Sequence, residues 1–484
     1  MTTVEQSAPT TPTFASASGA VYRVRWIAFG VVLFAGVLDL LDSLITTIAA
    51  PVIRAGLGGG NSVMQWLTAG YTLALSSGLI VGGRLGDIYG RKKIFLIGMG
   101  GFTLMSVLCG LATDPGELVV FRVLQGLFGA VMLPQGLGFF KELFPPRELG
   151  TAFGMIGPLM GIATVGGPIL GGWLLSANLL GLGWRSIFLI NLPLGAVALF
   201  MAVKYLPESR VPTAKRLDWT GAGIVSLAAL LLVFPVVQGH QYGWPLWIFG
   251  LLVLGIVLFG LFGWYERTHT ARGGEPLVIP TLFKKRAFTG GLVGGLSLFG
   301  ALVGFSLVLT IYLQVGLGYG PLKAALTVLP MAFAQAVGLV VARMWLADRL
   351  GRRLIHLGVI VTGAGVLLLA LTLIPEMTPW RFAPSLLVTG VGIGFALSAL
   401  FNIFLAAVEP HETGSASGTF TAVQQFAGAL GVAVLGTVYF GLLGEHTAAF
   451  RTTLWAVGVM LVLAFAAAFL LPKARSSWES PSSH

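Results

Sequence analysis

The sequence predicts an all-α polytopic membrane protein with fourteen spans. Its composition, its long apolar runs and the placement of its basic residues carry that prediction. Of 484 residues, 56% are hydrophobic and only 10% charged, whereas a soluble domain carries about 25% charged residues. A chain this apolar cannot cover a water-facing surface, so a bilayer must be its solvent. The 68 glycines follow no three-residue period and suit close helix packing in lipid.

A span needs about 20 apolar residues. Such runs occupy 26–50, 66–84, 94–112, 117–139, 152–177, 184–206 and 218–239. They continue at 244–264, 287–314, 321–347, 354–374, 381–407, 414–441 and 451–471. Only helices fit, because in hydrocarbon each backbone N–H must be satisfied within its own segment. With the N-terminus inside, 23 of the 29 basic residues count to the inside, five (Arg54, Arg185, Lys323, Arg381, Arg451) to the outside, and Arg122 alone, inside its span, to neither. This bias puts both termini in the cytoplasm and supports an even number of spans.

The same loops account for the net charge of +11, so no nucleic-acid partner is expected. Cys109 is the sole cysteine, which excludes an internal disulfide and a thiol metal cluster. The six histidines lack metal-ligand spacing, and no metal site is expected. Residues 1–25 read as a cytoplasmic tail rather than a cleavable signal, and 472–484 as a second tail.

Residues 207–217 and 265–286 are polar, basic and Pro-bearing, and read as cytoplasmic linkers around spans 7 and 8. Setting aside 207–286, with that pair, leaves a six-helix half at 26–206 and another at 287–471. An echo supports the duplication: GRLGDIYGRKK (83–93) follows span 2, and LADRLGRR (346–353) follows span 10. Internal repeats of this kind build many transporter folds.

Five segments stand out. In GRLGDIYGRKK, Gly83 and Gly90 allow a tight turn and close helix approach. Asp87 there can cap a helix or pair with a nearby arginine. Arg122, in FRVLQGLFGAVMLP (121–134), is a costly intramembrane charge and a functional candidate; an arginine reaching to the outer interface is the alternative. GIATVGGPILGG (161–172) packs small residues around Pro168, which removes a helix hydrogen bond and is expected to kink span 5. LDLLDSLITTIAAP (38–51) holds Asp39 and Asp42 on one helical face. Two bare carboxylates in hydrocarbon are prohibitive, so this pair is expected to hold and release protons. WRSIFLINLP (184–193) and VQQFAGALGVAVLG (423–436) complete the set.

With these segments the chain resembles the major facilitator superfamily, and within it the fourteen-helix drug:proton antiporters, over residues 26–471. The loop signature matches through Gly83, Leu85, Asp87, Gly90, Arg91 and Lys92, which the resemblance makes a conformational switch. Gly167, Pro168, Gly171 and Gly172 match the antiporter signature, whose first glycine is Ala163 here. Asp42 takes the family's intramembrane aspartate position, while Leu44 and Thr47 depart from the usual threonine and asparagine. The resemblance gives Arg122 a part in proton coupling, and comparable depth permits a pair with Asp42.

The resemblance implies a proton-coupled exporter of hydrophobic small molecules, cationic or neutral, working by alternating access in a bacterial plasma membrane. No organic cofactor is expected: there is no phosphate-binding loop, and a proton gradient would supply the energy. Phe34, Gln125, Phe305, Tyr312, Gln424, Gln425 and Phe426 are candidates for a substrate cavity. A proton-driven importer of a nutrient anion and a non-transporting membrane receptor stay open as alternatives, as does the oligomeric state.

Overall fold

The computed structural model describes residues 20–208, 217–274, 276–406, 413–442 and 444–471. Fourteen long helices account for nearly all of them, and there is no strand among the described residues. They are α1 (Ala20–Leu57), α2 (Ser62–Tyr89), α3 (Arg91–Leu111), α4 (Pro115–Leu143), α5 (Pro146–Ala177), α6 (Asn191–Tyr205) and α7 (Trp219–Tyr242). Then come α8 (Leu246–Ala271), α9 (Arg286–Ile311), α10 (Pro321–Val341), α11 (Arg352–Thr372), α12 (Pro379–Ala406), α13 (Thr413–Gly441) and α14 (His446–Ala468). Thirteen of these are long and apolar enough to cross a membrane, α6 only together with the turns before it, as Gly183–Tyr205. The exception, α2, is 28 residues long and packs between α4 and α13.

Several helices outrun the apolar runs at one end, because polar residues there extend the helix past the hydrocarbon. α1 starts at Ala20, inside the stretch read as a tail, and α8 continues to Ala271, through the first residues read as linker. The rest of both tails and most of 207–217 lie outside the described residues. Local chemistry sets several starts. Asp114 caps α4 by accepting from Gly116 and Glu117 N–H, Pro115 holds its first turn, and Glu117 reaches back to Thr113 N–H at 2.9 Å. This reciprocal arrangement satisfies otherwise orphaned donors. Span 6 is broken at Ile190 between a short turn (Ser186–Leu189) and α6, where Pro193 has no N–H for the Leu189 carbonyl.

Packing repeats itself along the chain. α2 packs on α4 as α10 packs on α12, α3 on α4 as α11 on α12, and α1 on α5 as α9 on α13. Two further pairs, α2 with α13 and α5 with α10, join the halves. The close approaches depend on glycine. A β-carbon on Gly82 would lie 2.1 Å from the Ala130 carbonyl oxygen, and one on Gly86 would lie 1.8 Å from Gln135 Oε1. Gly83 is not the close contact expected of it, since a β-carbon there meets only Pro134 at 3.6 Å. The seam runs through Gly82 and Gly86, one residue before Gly83 and three after it, which share a face four residues apart.

One end of the bundle carries Gly90 and Arg91–Lys93, and is called the basic end here. The described hydrogen bonds between the halves lie toward the opposite, far end. Gln65 Nε2 donates to the carbonyls of Val432 (3.3 Å) and Ala433 (3.1 Å), and Gln314 Nε2 donates to that of Ile48 at 2.7 Å. Gln314 sits in a π turn, Tyr312–Gly316, that continues α9.

Candidate functional site

Two charges are buried where α1, α2, α4 and α6 meet. On α4, Arg122 and Gln125 are three residues apart and share a face. Facing them on α1 are Asp39 and Asp42. Arg122 Nη1 donates to Asp42 Oδ2 at 2.5 Å, with both side chains 1% exposed. The interface-reaching alternative for Arg122 is therefore excluded. Asp42 Oδ1 accepts from Gln125 Nε2 (3.1 Å) and Asn191 Nδ2 (2.8 Å). The guanidinium also donates to Gln125 Oε1 at 2.7 Å and, through Nε, to the Leu67 carbonyl at 3.3 Å. Its carbon lies 4.2 Å from the centre of the Tyr71 ring, a cation–π contact.

Tyr71 joins the second acid to this cluster, since its hydroxyl donates to Asp39 Oδ1. Gly129 leaves room for that bond: a β-carbon there would lie 3.2 Å from Asp39 Oδ1 and 3.3 Å from Tyr71 Oη. On the other flank, Asn191 Nδ2 also donates to Ser106 Oγ at 2.9 Å, and Ser106 donates to the Phe188 carbonyl at 3.0 Å. Such a network tolerates buried charge because nearly every polar atom has a partner. Sequence reasoning missed Tyr71, Ser106 and Asn191. Asn191 lies in the WRSIFLINLP segment, and its place at the Pro193 break was the available signal. Tyr71 and Ser106 carry none, being ordinary polar residues in apolar runs.

The glycine-rich segment of α5 packs directly on the helix that carries Asp42. A β-carbon on Gly167 would meet Leu44 at 3.1 Å and Leu41 at 3.3 Å, and one on Gly171 would meet Ile45 at 3.0 Å. Gly172 faces the other half, with Ala325 and Leu322 both 2.9 Å from its β-carbon position. α5 runs through Pro168 without interruption. One helix thus touches both α1 and α10, through residues one position apart.

The basic-end loop folds as a turn between α2 and α3. Gly90 has φ +101°, which L side chains rarely adopt. Asp87 pairs with Arg91 at 3.0 Å, and Arg91 reaches Glu142 on α4 at 2.6 Å. The described contacts of Asp87 therefore stay within its own half. Lys92 is half-buried beside them.

Several cavity candidates fall elsewhere. Gln125 is fully buried in the Asp42–Arg122 cluster. Phe305 is buried in the core, where α9 meets α13. Tyr312 is fully buried, stacked on Phe450 at 4.3 Å and within 3.4 Å of Thr447. In these three cases aromatic or amide character in a long apolar run signalled packing, not an open wall. Phe34 packs on the core of the first half. Gln424 and Gln425 are half-buried on α13. Phe426, next to them, lines a pocket at the side of the bundle.

Comparison with known proteins gives a consistent picture. The chain is 46% identical over 431 residues to the probable actinorhodin transporter of Streptomyces coelicolor, covering 88% of this chain and 75% of that protein. A puromycin resistance protein of Streptomyces alboniger is 35% identical, covering 94% and 91%. A multidrug resistance protein of Bacillus subtilis is 30% identical, covering 86% and 79%. Among solved structures, a bacterial homologue of the human lysosomal transporter Spinster, inward-facing and unoccupied, superposes with TM-score 0.65 at 17% identity, over 93% of this chain and 98% of that one. At that identity the likeness speaks for the fold alone. The family profile described as Major Facilitator Superfamily matches residues 32–432, and the chain belongs to that family as a multi-pass, non-enzymatic membrane transporter.

Proposed function

We propose that the protein exports hydrophobic small molecules, cationic or neutral, from a bacterial cell in exchange for protons. The observation that carries this reading is the buried Asp42–Arg122 pair, in which one carboxylate on α1 ties together α4 and α6 through Arg122, Gln125 and Asn191. A proton arriving at Asp42 removes its charge and weakens all three ties at once. Charge-assisted hydrogen bonds are worth about 1.5–3 kcal/mol each, and 1.4 kcal/mol is a tenfold population change. Protonation at this one atom pair is therefore enough to bias how α1 sits against α4 and α6 within the first half, and α1 meets the second half where Gln314 donates to the Ile48 carbonyl.

Relatives named for drug and antibiotic resistance support the exporting direction. The excess of Lys and Arg in one set of loops supports cytoplasmic termini. In that orientation the basic end faces the cytoplasm, and the hydrogen bonds of Gln65 and Gln314 hold the external end shut. The architecture of two six-helix halves around an inserted pair fits alternating access, with α5 linking the Asp42 helix to the opposite half. An efflux assay over a panel of lipophilic drugs, with and without a protonophore, tests the reading. Efflux that collapses with the protonophore is expected; efflux that persists with the proton gradient abolished contradicts it.

A further inference from the structure

α7 and α8, the pair outside the six-plus-six pattern, cover the seam between α2 and α13. Toward the far end this cover is tight. Ser62 Oγ donates to Gln241 Oε1 at 2.7 Å, Thr437 Oγ1 donates to the Val236 carbonyl at 2.6 Å, and Trp66 lies 6.0 Å from Phe234. Toward the basic end it opens into a pocket of about 400 Å³. Phe259, Phe262, Phe283 and Phe426 form its apolar walls, and Ser77 and Thr419 bring α2 and α13 to it.

Into this apolar space comes a carboxyl group. Glu266, near the end of α8, lines the pocket and is 4% exposed. Its Oε2 accepts from Val278 N–H at 3.4 Å, whereas its Oε1 is buried with no hydrogen-bond partner. Asp218, the cap of α7, stands behind it. Asp218 Oδ1 accepts from Gly221 N–H and from Tyr265 Oη, both at 2.9 Å, and its Oδ2 is likewise buried without a partner. The two bare oxygens converge: a β-carbon on Gly221 would lie 2.5 Å from Asp218 Oδ2 and 2.9 Å from Glu266 Oε1. Arg267 also borders the pocket, but it is exposed at the rim. Buried acceptors left unmade are costly, and two acids side by side more so. An N–H-bearing cation in the pocket would satisfy Glu266, and the Asp218 charge behind it would strengthen the attraction.

We propose that this pocket is a lateral binding site for a lipophilic amine, whose ammonium group donates to the Glu266 carboxylate, with the Asp218 carboxylate behind it adding negative charge. The four phenylalanines take its apolar body, and a pocket of this size suits a small organic ligand. The inserted helices then have a role of their own: they build a second site against the seam between the halves, apart from the Asp42–Arg122 cluster. This proposal rests on neither proton coupling nor the direction of transport.

The test is equilibrium binding of pyrenemethylamine, and of uncharged pyrenemethanol, to the purified full chain in lipid nanodiscs, with empty nanodiscs subtracted. Amine binding at least about tenfold weaker in Glu266→Gln/Asp218→Asn, with the alcohol unchanged, is expected. Equal amine affinity in wild type and double variant overturns the proposal. A second measurement guards against a folding defect in that variant. In a Cys109→Ala background, Ser77→Cys introduces one thiol into the pocket with both acids intact, and its alkylation by N-ethylmaleimide is followed. Slowing by the amine but not by the alcohol is expected; an unprotected thiol at saturating amine overturns the proposal.

Discussion

Asp42 and Arg122 illustrate why a buried ion pair is poor evidence for stability. Taking both charges out of water costs more than their attraction returns, yet removing one partner alone costs about 3–5 kcal/mol. Arg122→Ala should therefore lower both thermal stability and transport, since it strands Asp42, Gln125 and the Leu67 carbonyl. Arg122→Lys should keep part of each, because an ammonium cannot present the planar fork that reaches several acceptors. The informative variant is Asp42→Asn/Arg122→Gln. Neutralising both partners should recover much of the stability lost in Arg122→Ala, read by a thermal scan in detergent, while proton coupling stays absent. If the double variant is as unstable as Arg122→Ala, the cluster is held by something other than charge pairing. Asp39 is tied through Tyr71 and not through Arg122 directly, so Asp39→Asn should alter which substrates are accepted more than it alters coupling. Identical phenotypes for Asp39→Asn and Asp42→Asn would mean the two titrate as one pair.

At the scale of elements, glycines decide how closely helices meet. Gly82 lies against the backbone of α4, where a side chain has nowhere to go, so Gly82→Ala should cost about 1–3 kcal/mol and lower the melting temperature. Gly83→Ala should be nearly silent, and an equal loss at the two positions would contradict the assigned seam. Gly90→Ala forces a β-carbon onto a backbone at φ +101° and ψ 128°, outside even the left-handed helical region, at about 1–3 kcal/mol. Gly172→Val acts differently, because it wedges α5 away from α10. Transport should fall while the Asp42 cluster stays formed, a split visible as lost efflux with retained thermal stability.

Much of the fold was legible in the sequence. Apolar length and basic loops suffice for helices whose solvent is lipid, because satisfying the backbone leaves no alternative. α2 was legible from its run, although its glycines and polar residues dilute it. Its role as a packing element explains them. The helix ends were less legible, since residues such as Tyr265 and Glu266 continue a helix beyond the apolar run and hydropathy does not see that. The site was half legible. Asp39, Asp42 and Arg122 stand out as charges in apolar runs, whereas Tyr71, Ser106 and Asn191 become partners only once α2, α3 and α6 converge. Phe305 and Tyr312 are buried against neighbours for the same reason: an aromatic in a span says nothing of which neighbour it faces.

For the whole molecule, two halves meet along α2–α13 and α5–α10, with the Asp42–Arg122 tie buried in the first half. The central claim is that Asp42 couples proton movement to substrate movement. Its most direct measurement uses inside-out membrane vesicles with an acidified lumen and a trapped pH-sensitive dye. Addition of a transported drug should release protons from the lumen in vesicles bearing the wild-type chain and none in vesicles bearing equal amounts of inserted Asp42→Asn. Drug accumulation without proton release in the wild type, or undiminished release in Asp42→Asn, would contradict the account.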